Sequence, residues 1–317
     1  MRLAVFEYHG TRRLGVVADS LIHPLPGTAD LIGLLAADPA ERAAVGAAAR
    51  REPGVPLDAV RLRPPVRPGA MRDFLTFEDH VQGTSRAVQG EDIRPEWYEA
   101  PSFLFMNPHA VVGTGDEVEK PYGTERMDFE LEVAAVICRD ARNVPVERAG
   151  DHLGGYLIMN DWSARDIMRR EMKLGLGPAK GKDFATTLGP WVVTADELEP
   201  YRRDGRLDLE MTVSVNGVRL GGDRLGNMSW SFEEMLSYAS RGAWLRAGDV
   251  IASGTCATGA LAETWGRTGR IDPPPLEPGD VVSMAVEGLG AITNTVVAPA
   301  YPDLPVARAR SRAEHRA

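Results

Sequence analysis

The sequence DFELEVAAVI at residues 128–137 indicates how the rest of the chain is built. Side chains alternate between the two faces of a strand, so Glu130 and Glu132 project from one face, about 7 Å apart along the strand. Residues 134–137 are apolar on both faces, which is typical of a strand deep in a core. The sequence therefore predicts a buried strand that carries two carboxylates near one end.

This carboxylate pair allows two interpretations. Inside a core, neighbouring anions cannot both stay ionised unless a cation compensates them, and a divalent metal ion would supply that charge. Alternatively, Glu130 and Glu132 lie on a solvated face and pair with arginines. Asp128 has the same parity along the strand, so the pattern alone does not select the ligands.

Two further charged residues follow apolar or glycine-rich segments. The apolar segment 155–160 ends at Asp161, a common position for another oxygen ligand, although Asp161 could equally cap a following helix. Lys182 lies in the glycine-rich segment 175–184. Its ammonium could reach a bound anion there, or it could simply be exposed to solvent.

Among the six histidines, His80 is the candidate proton carrier. It follows Glu78 and Asp79 directly, and such acidic neighbours could orient its ring. A histidine beside acids can equally be a structural residue, so this position needs further support.

Length, charge and cysteine content limit the class of protein. The chain has 317 residues, and 36 basic against 45 acidic side chains give a net charge of −9, which disfavours binding to nucleic acid. No apolar run approaches the roughly 18 residues of a membrane-spanning helix, and no signal peptide is recognisable, so we expect a cytoplasmic protein without a membrane partner. Cys138 and Cys256 have no nearby partner, which argues against a zinc or iron–sulfur site and predicts buried thiols.

The distribution of proline and glycine predicts the domain organisation. We expect a small N-terminal α+β domain with a proline-rich linker at residues 1–68, in which residues 30–51 have a helical composition. Residues 69–306 should form a larger, strand-rich domain, since the 33 glycines and 23 prolines of the chain indicate many short strands. Residues 307–317 are rich in arginine and should be a disordered tail.

Two local patterns predict individual elements of the larger domain. Strict alternation over residues 207–215 leads into Asn216-Gly217, a combination that predicts a hairpin. Ser231 and Glu234 have the spacing of a capping box, which predicts a short helix that ends near Ser240.

Five motifs occur in an order that resembles the fumarylacetoacetate hydrolase superfamily, over residues 70–298. In chain order they are Asp73 with His80, Glu130-x-Glu132, Asn160-Asp161-Trp-Ser-Ala-Arg165, Gly181-Lys182-Asp-Phe and Ser253-Gly254-Thr255. The resemblance implies an α+β, β-rich chain whose catalytic domain is a rolled mixed β-sheet, a β-sandwich-like roll. It also implies a small N-terminal α+β domain and a homodimer.

The same resemblance implies roles for individual residues. The expected ligands of Mg²⁺ or Mn²⁺, with Ca²⁺ as an alternative, are Glu130, Glu132, Asp161 and, as in the larger family members, Asp73. The expected catalytic residues are His80, Lys182 and Glu263, the last of which would orient the histidine. Arg165 and Thr255 are expected near the substrate.

The implied activity is hydrolysis of a carbon–carbon bond in an acylpyruvate or a related β-diketo acid. Leu75 and Met168 replace a tyrosine and a glutamine that contact fumarylacetoacetate in the family, so that particular substrate is not expected. The alternatives are a decarboxylase, hydratase or isomerase of 2-oxo acids and, in another class, a non-catalytic β-rich binding protein. The polar, glycine-containing segment 82–99 would permit a lid.

Overall fold

The computed structural model describes residues 1–89 and 93–310. Residues 90–92 of the segment considered as a lid and residues 311–317 of the predicted tail lie outside the described residues. Residues 307–310 are exposed and have no regular secondary structure.

Strands outnumber helices in the described part of the chain. The strands of the first half are β1 (Arg2–Tyr8), β2 (Thr11–Ala18), β3 (Leu21–Pro24), β4 (Val55–Pro56), β5 (Arg61–Arg63), β6 (Met71–Phe74), β7 (Phe103–Met106), β8 (Val111–Val112), β9 (Glu117–Glu119), β10 (Met127–Asp128) and β11 (Leu131–Ile137). The strands of the second half are β12 (Leu153–Asp161), β13 (Ser163–Ala164), β14 (Thr186–Thr194), β15 (Arg202–Arg203), β16 (Arg206–Leu207), β17 (Glu210–Val215), β18 (Val218–Arg224), β19 (Val250–Ala252), β20 (Val281–Val286) and β21 (Gly290–Val297). The α-helices are α1 (Leu31–Ala36), α2 (Pro39–Ala49), α3 (Glu78–Gln89), α4 (Val146–Ala149), α5 (Arg165–Met172), α6 (Ala195–Leu198), α7 (Phe232–Ala239) and α8 (Leu261–Thr268).

Two mixed sheets form the body of the protein. The larger sheet has twelve strands, ten of them in the order β4-β3-β2-β1-β14-β12-β11-β19-β6-β7, while β5 pairs with β1 and β8 with β14. The second sheet has the order β18-β17-β20-β21-β9. The predicted β-rich α+β fold with a large mixed sheet is confirmed.

Strand β11 is buried on both faces, as its sequence predicted. Phe129, Leu131 and Val133 belong to a core that also contains side chains of β17 and β20, so this face packs toward the second sheet. Ala134 and Val136 project from the other face into a core shared with α1 and β1. Glu130 and Glu132 have the parity of this second face.

The N-terminal strands are continuous with the main sheet, because β1 pairs antiparallel with β14. The segment predicted to be helical at 30–51 contains two helices, and Asp38 caps the second with Pro39 at its first position. The division of the chain at residue 68 stays a prediction.

Several local predictions are confirmed. Strands β17 and β18 form the hairpin around Asn216-Gly217, and the Ser231 capping box begins α7. Both cysteines are buried free thiols, and burial raises the pKa of each. No helix in the described ranges combines the length and apolar character that crossing a bilayer requires.

Candidate metal centre and active site

Three strand ends bring four acidic side chains together. Strands β12 and β19 run antiparallel to β11, and β6 runs parallel to β19, so β6 and β12 both end beside the start of β11. Their convergence places one carboxylate oxygen from each of four buried residues within 4.8 Å of the others: Asp73, Glu130, Glu132 and Asp161.

Strand β19 lies between β6 and β11 and would separate their side chains if it carried large residues. Ala252 of β19 is the register partner of both Ala134 and Asp73, and its side chain is only a methyl group. The carboxyl groups of Asp73 and Glu132 are therefore able to approach each other across β19, with one oxygen of each within 4.8 Å of the other.

Burial opposes ionisation of three of these acids. It raises the pKa of Asp73 to about 6, although the nearby Lys182 acts to lower it. Burial, reinforced by repulsion from the neighbouring carboxylates, also raises the pKa of Glu132 well above its ordinary value. Burial likewise raises that of Asp161, despite Lys182. The group thus carries more negative charge than its surroundings can compensate.

Three carboxylate oxygens of this group have no hydrogen-bond partner among the described residues. These buried atoms are Asp73 Oδ1, Glu132 Oε2 and Asp161 Oδ1. Burying a charged oxygen without a partner is costly, whereas Mg²⁺, Mn²⁺ and Ca²⁺ accept carboxylate oxygens as ligands. The donor set and its unpartnered atoms therefore fit a hard divalent cation.

Two cationic side chains contact Glu130 from different directions. Lys182 is buried, and its Nζ contacts both Glu130 and Asp161. Arg165 Nη2 lies 2.8 Å from Glu130 Oε1. Burial alone would raise the pKa of Glu130, but Arg165, Lys182 and His80 together hold it below its ordinary value. Glu130 thus pairs with an arginine, as one interpretation of the sequence required, but the pair lies in the interior rather than on a solvated face.

Asp128 serves a different purpose, which resolves the ambiguity in parity. Its carboxylate accepts hydrogen bonds from Leu261 N at 2.8 Å and Ala262 N at 2.9 Å, at the start of α8. It also accepts one from Arg165 Nε at 2.8 Å. Asp128 therefore caps α8, since helix N-termini favour carboxylates. Its hydrogen bond to Arg165 also orients that side chain.

His80 and Glu263 form a hydrogen-bonded pair beside the four acids. His80 Nδ1 lies 3.2 Å from Glu263 Oε2, while Nε2 lies 4.0 Å from Glu130 Oε1. Glu263 also accepts a hydrogen bond from Thr258 N at 2.7 Å and forms an ion pair with Arg267 Nη2 at 2.5 Å. Because a carboxylate only accepts hydrogen bonds, Nδ1 carries the proton and Nε2 faces the acids.

Thr255 and Leu75 border the same region. Thr255 Oγ1 donates a hydrogen bond to Glu132 Oε1 at 3.4 Å. Leu75 follows β6 two positions after Asp73, and 38% of its surface is exposed. Arg267 and the Thr258 amide could not be identified from the sequence, because neither belongs to a motif.

Comparison with known proteins identifies one protein family. A family model described as fumarylacetoacetate (FAA) hydrolase C-terminal matches residues 70–297. An uncharacterised protein of Archaeoglobus fulgidus is 33% identical over 245 residues, which cover 77% of this chain and 84% of that protein. A fumarylacetoacetase of Arabidopsis thaliana is 28% identical over 249 residues, 65% of this chain but only 59% of the plant protein.

Solved structures agree in fold. A fumarylacetoacetate hydrolase from the psychrophilic Exiguobacterium antarcticum superposes with a TM-score of 0.73 and 28% identity, covering 94% of this chain and all of that one. A 5-carboxymethyl-2-hydroxymuconate delta-isomerase from Mycobacterium smegmatis gives a TM-score of 0.68 and 26% identity at the same coverage. Similar folds thus support more than one reaction.

Proposed function

Because the chain belongs to the fumarylacetoacetate hydrolase family, we propose that it is a divalent-metal-dependent hydrolase that cleaves a carbon–carbon bond in an acylpyruvate or related β-diketo acid. The observation that carries the proposal is the convergence of four buried carboxylates beside the His80–Glu263 pair. A cation site next to an oriented base is what hydrolysis of a chelating acid needs. A homodimeric assembly is part of the proposal.

The residues that would hold Mg²⁺ or Mn²⁺ are Asp73, Glu130, Glu132 and Asp161. A bound dication would draw electron density from the carboxylate and adjacent carbonyl of a 2-oxo acid. Lys182 places a further positive charge at the same position, and a well-placed group of this kind stabilises developing negative charge by about 3 kcal/mol. Contacts of Arg165 and Thr255 with the substrate stay a prediction.

His80 would act as the base. Its Nε2 removes a proton from water, and the water oxygen attacks the carbonyl carbon farther from the carboxylate. Glu263 stabilises the imidazolium that forms, as the acid does in other histidine–carboxylate pairs. The bond from that carbon to the neighbouring methylene then breaks, and His80 returns the proton to the methylene carbon. One water is consumed, and a carboxylic acid and a shorter 2-oxo acid are released.

A second candidate reaction is isomerisation of a 2-oxo acid. The similarity to the mycobacterial delta-isomerase favours it, and the same base could move a proton between carbons without breaking the chain. Decarboxylation would use the same electron withdrawal. These reactions differ in their products rather than in the residues they require.

Product analysis separates the reactions. Metal-free protein is supplied with Mn²⁺ or Mg²⁺ and a panel of acylpyruvates, hydroxydienoates and oxaloacetate, and the products are followed by NMR. Two carbon-chain products support the hydrolase, one product of unchanged mass indicates an isomerase, and release of carbon dioxide indicates a decarboxylase. No turnover of any member with either ion would contradict the proposal.

A matched pair of double variants tests the ligands. Glu130→Gln with Glu132→Gln should abolish stabilisation by Mn²⁺, measured as the rise in Tm on adding the ion. The control is Glu117→Gln with Glu119→Gln, which alters another Glu-x-Glu strand whose two acids are exposed. If the first variant bound Mn²⁺ as tightly as the control, the ligand assignment would be wrong.

A further inference from the structure

Glu171 lies in the last turns of α5, outside the proposed ligands and base, yet its carboxylate is fully engaged. It accepts hydrogen bonds from Ala179 N and Lys180 N at 2.8 Å each and from Gly181 N at 3.2 Å. Three consecutive amides that donate to one carboxylate form a concave anion site, occupied here by the chain's own acid. These bonds hold the pKa of Glu171 below its ordinary value, although burial opposes this.

The loop held in this way leads directly into Lys182. Gly181 O accepts a hydrogen bond from Ala164 N at 2.8 Å, just before α5 begins. A Cβ at Gly181 would lie 2.8 Å from Met168 N, which is closer than real side chains approach, so the loop backbone packs on the helix itself. The backbone N–H and C=O of Gly181 thus bind α5 and the residue before it. These bonds also fix the backbone position of Lys182, the next residue.

One helix therefore sets both cations that contact Glu130. Arg165, the first residue of α5, places its guanidinium on Glu130. Glu171, the seventh, fixes the loop from which the Lys182 ammonium reaches Glu130 and Asp161. The lysine side chain has four methylene groups and many rotamers, so its position depends on a rigid attachment.

We propose that Glu171 is a positioning residue: by binding the amides of residues 179–181, it keeps the ammonium of Lys182 between Glu130 and Asp161. The inference rests on the proposed metal site. A fixed positive charge there repels an incoming dication and balances the carboxylates until one binds. Loosening the loop should therefore change metal affinity as well as turnover.

A double-mutant cycle on Mn²⁺ affinity tests this positioning role. At pH 8, Lys182→Met should bind Mn²⁺ about tenfold more tightly than the wild type in calorimetry, because a charge that repels the ion is gone. Glu171→Ala should shift the affinity in the same direction, about threefold, since a freed Lys182 spends less time in the site. In the Lys182→Met background, Glu171→Ala should have no further effect.

Two controls keep the cycle interpretable. Lys180→Ala removes a side chain of the same loop that pairs with Asp183 rather than with the four acids, and it should leave Mn²⁺ affinity unchanged. Glu171→Gln retains one acceptor oxygen and serves if the alanine variant fails to fold. A lowered Tm with unchanged Mn²⁺ affinity, or an affinity shift that persists without Lys182, would overturn the positioning role.

The same measurements distinguish this inference from the proposed function. Non-additive coupling between Glu171 and Lys182 in a protein that turns over no 2-oxo acid would uphold the positioning role and contradict the reaction. Turnover of a 2-oxo acid together with strictly additive effects of the Glu171 and Lys182 variants on Mn²⁺ affinity would uphold the reaction and contradict the positioning role.

Discussion

Asp73→Asn should stabilise the metal-free protein at pH 8 while abolishing its response to metal. The pKa of Asp73 rises from its ordinary 3.8 to about 6 on folding, chiefly because the side chain is buried. At 1.36 kcal/mol per pH unit, keeping this group ionised costs the folded state about 3 kcal/mol. Asparagine has no charge to bury, and its amide can donate a hydrogen bond to the neighbouring Glu132.

The sign of the pH dependence follows from the direction of this shift. A carboxyl group with a raised pKa binds its proton more readily in the folded than in the unfolded chain. The contribution of Asp73 to the stability of the wild type therefore falls as pH rises from about 4 through 6. The advantage of the variant should be about 3 kcal/mol at pH 8 and only about 1 kcal/mol at pH 4.5, where folded Asp73 is already protonated.

Urea unfolding in EDTA, followed by tryptophan fluorescence at both pH values, measures this difference. Asp58→Asn, which alters an exposed aspartate, is the control and should show no such pH-dependent gain. Added Mn²⁺ should stabilise the wild type and the control but not Asp73→Asn. A variant less stable than the wild type at pH 8 without metal, or a difference independent of pH, would refute the reasoning.

Three further outcomes are expected. Glu263→Gln should lower kcat about 100-fold with little change in KM or Tm, because it removes the negative charge that stabilises the His80 imidazolium. Steady-state assays with an acylpyruvate would show the loss, and an unchanged kcat would contradict this role of Glu263. The affinity of the wild type for Mn²⁺ should weaken as pH falls below about 6, because protons compete with the ion for Asp73. Calorimetry from pH 5.5 to 8 measures this, and an Mn²⁺ affinity that does not change with pH would contradict it. Gly254→Ala should destabilise the fold by about 2 kcal/mol and weaken Mn²⁺ binding, because Gly254 has a φ of +78° and packs on the Phe74 carbonyl beside Asp73. Equal urea midpoints for the variant and the wild type would exclude this destabilisation.

The predictions that succeeded depend on local geometry. Alternation along residues 128–137 requires Glu130 and Glu132 to share a face, and the structure places both in the acidic group. The Asn216-Gly217 turn and the Ser231 capping box involve contacts within a few residues. Patterns of this kind are visible in the sequence because the interacting groups are neighbours in the chain.

The sequence could not show which distant groups face each acid. Asp128 has the parity of a ligand, but its oxygens bind amides 133 and 134 residues further along the chain. Lys182 follows several glycines and resembles an exposed loop residue, yet it is buried because Glu171 and Ala164 fix the loop against α5. The contact of Asp73 with Glu132 depends on the methyl side chain of Ala252 in an intervening strand.

The pairing of β1 with β14 has a practical consequence for recombinant work. A fragment trimmed to residues 70–297 would lack β1 and so leave part of one side of β14 without its hydrogen-bonding neighbour. A strand edge exposed in this way can pair with strands of other polypeptides, which promotes aggregation. Residues 1–69 therefore protect one edge of β14, and expression of residues 70–297 alone should give inclusion bodies rather than folded protein.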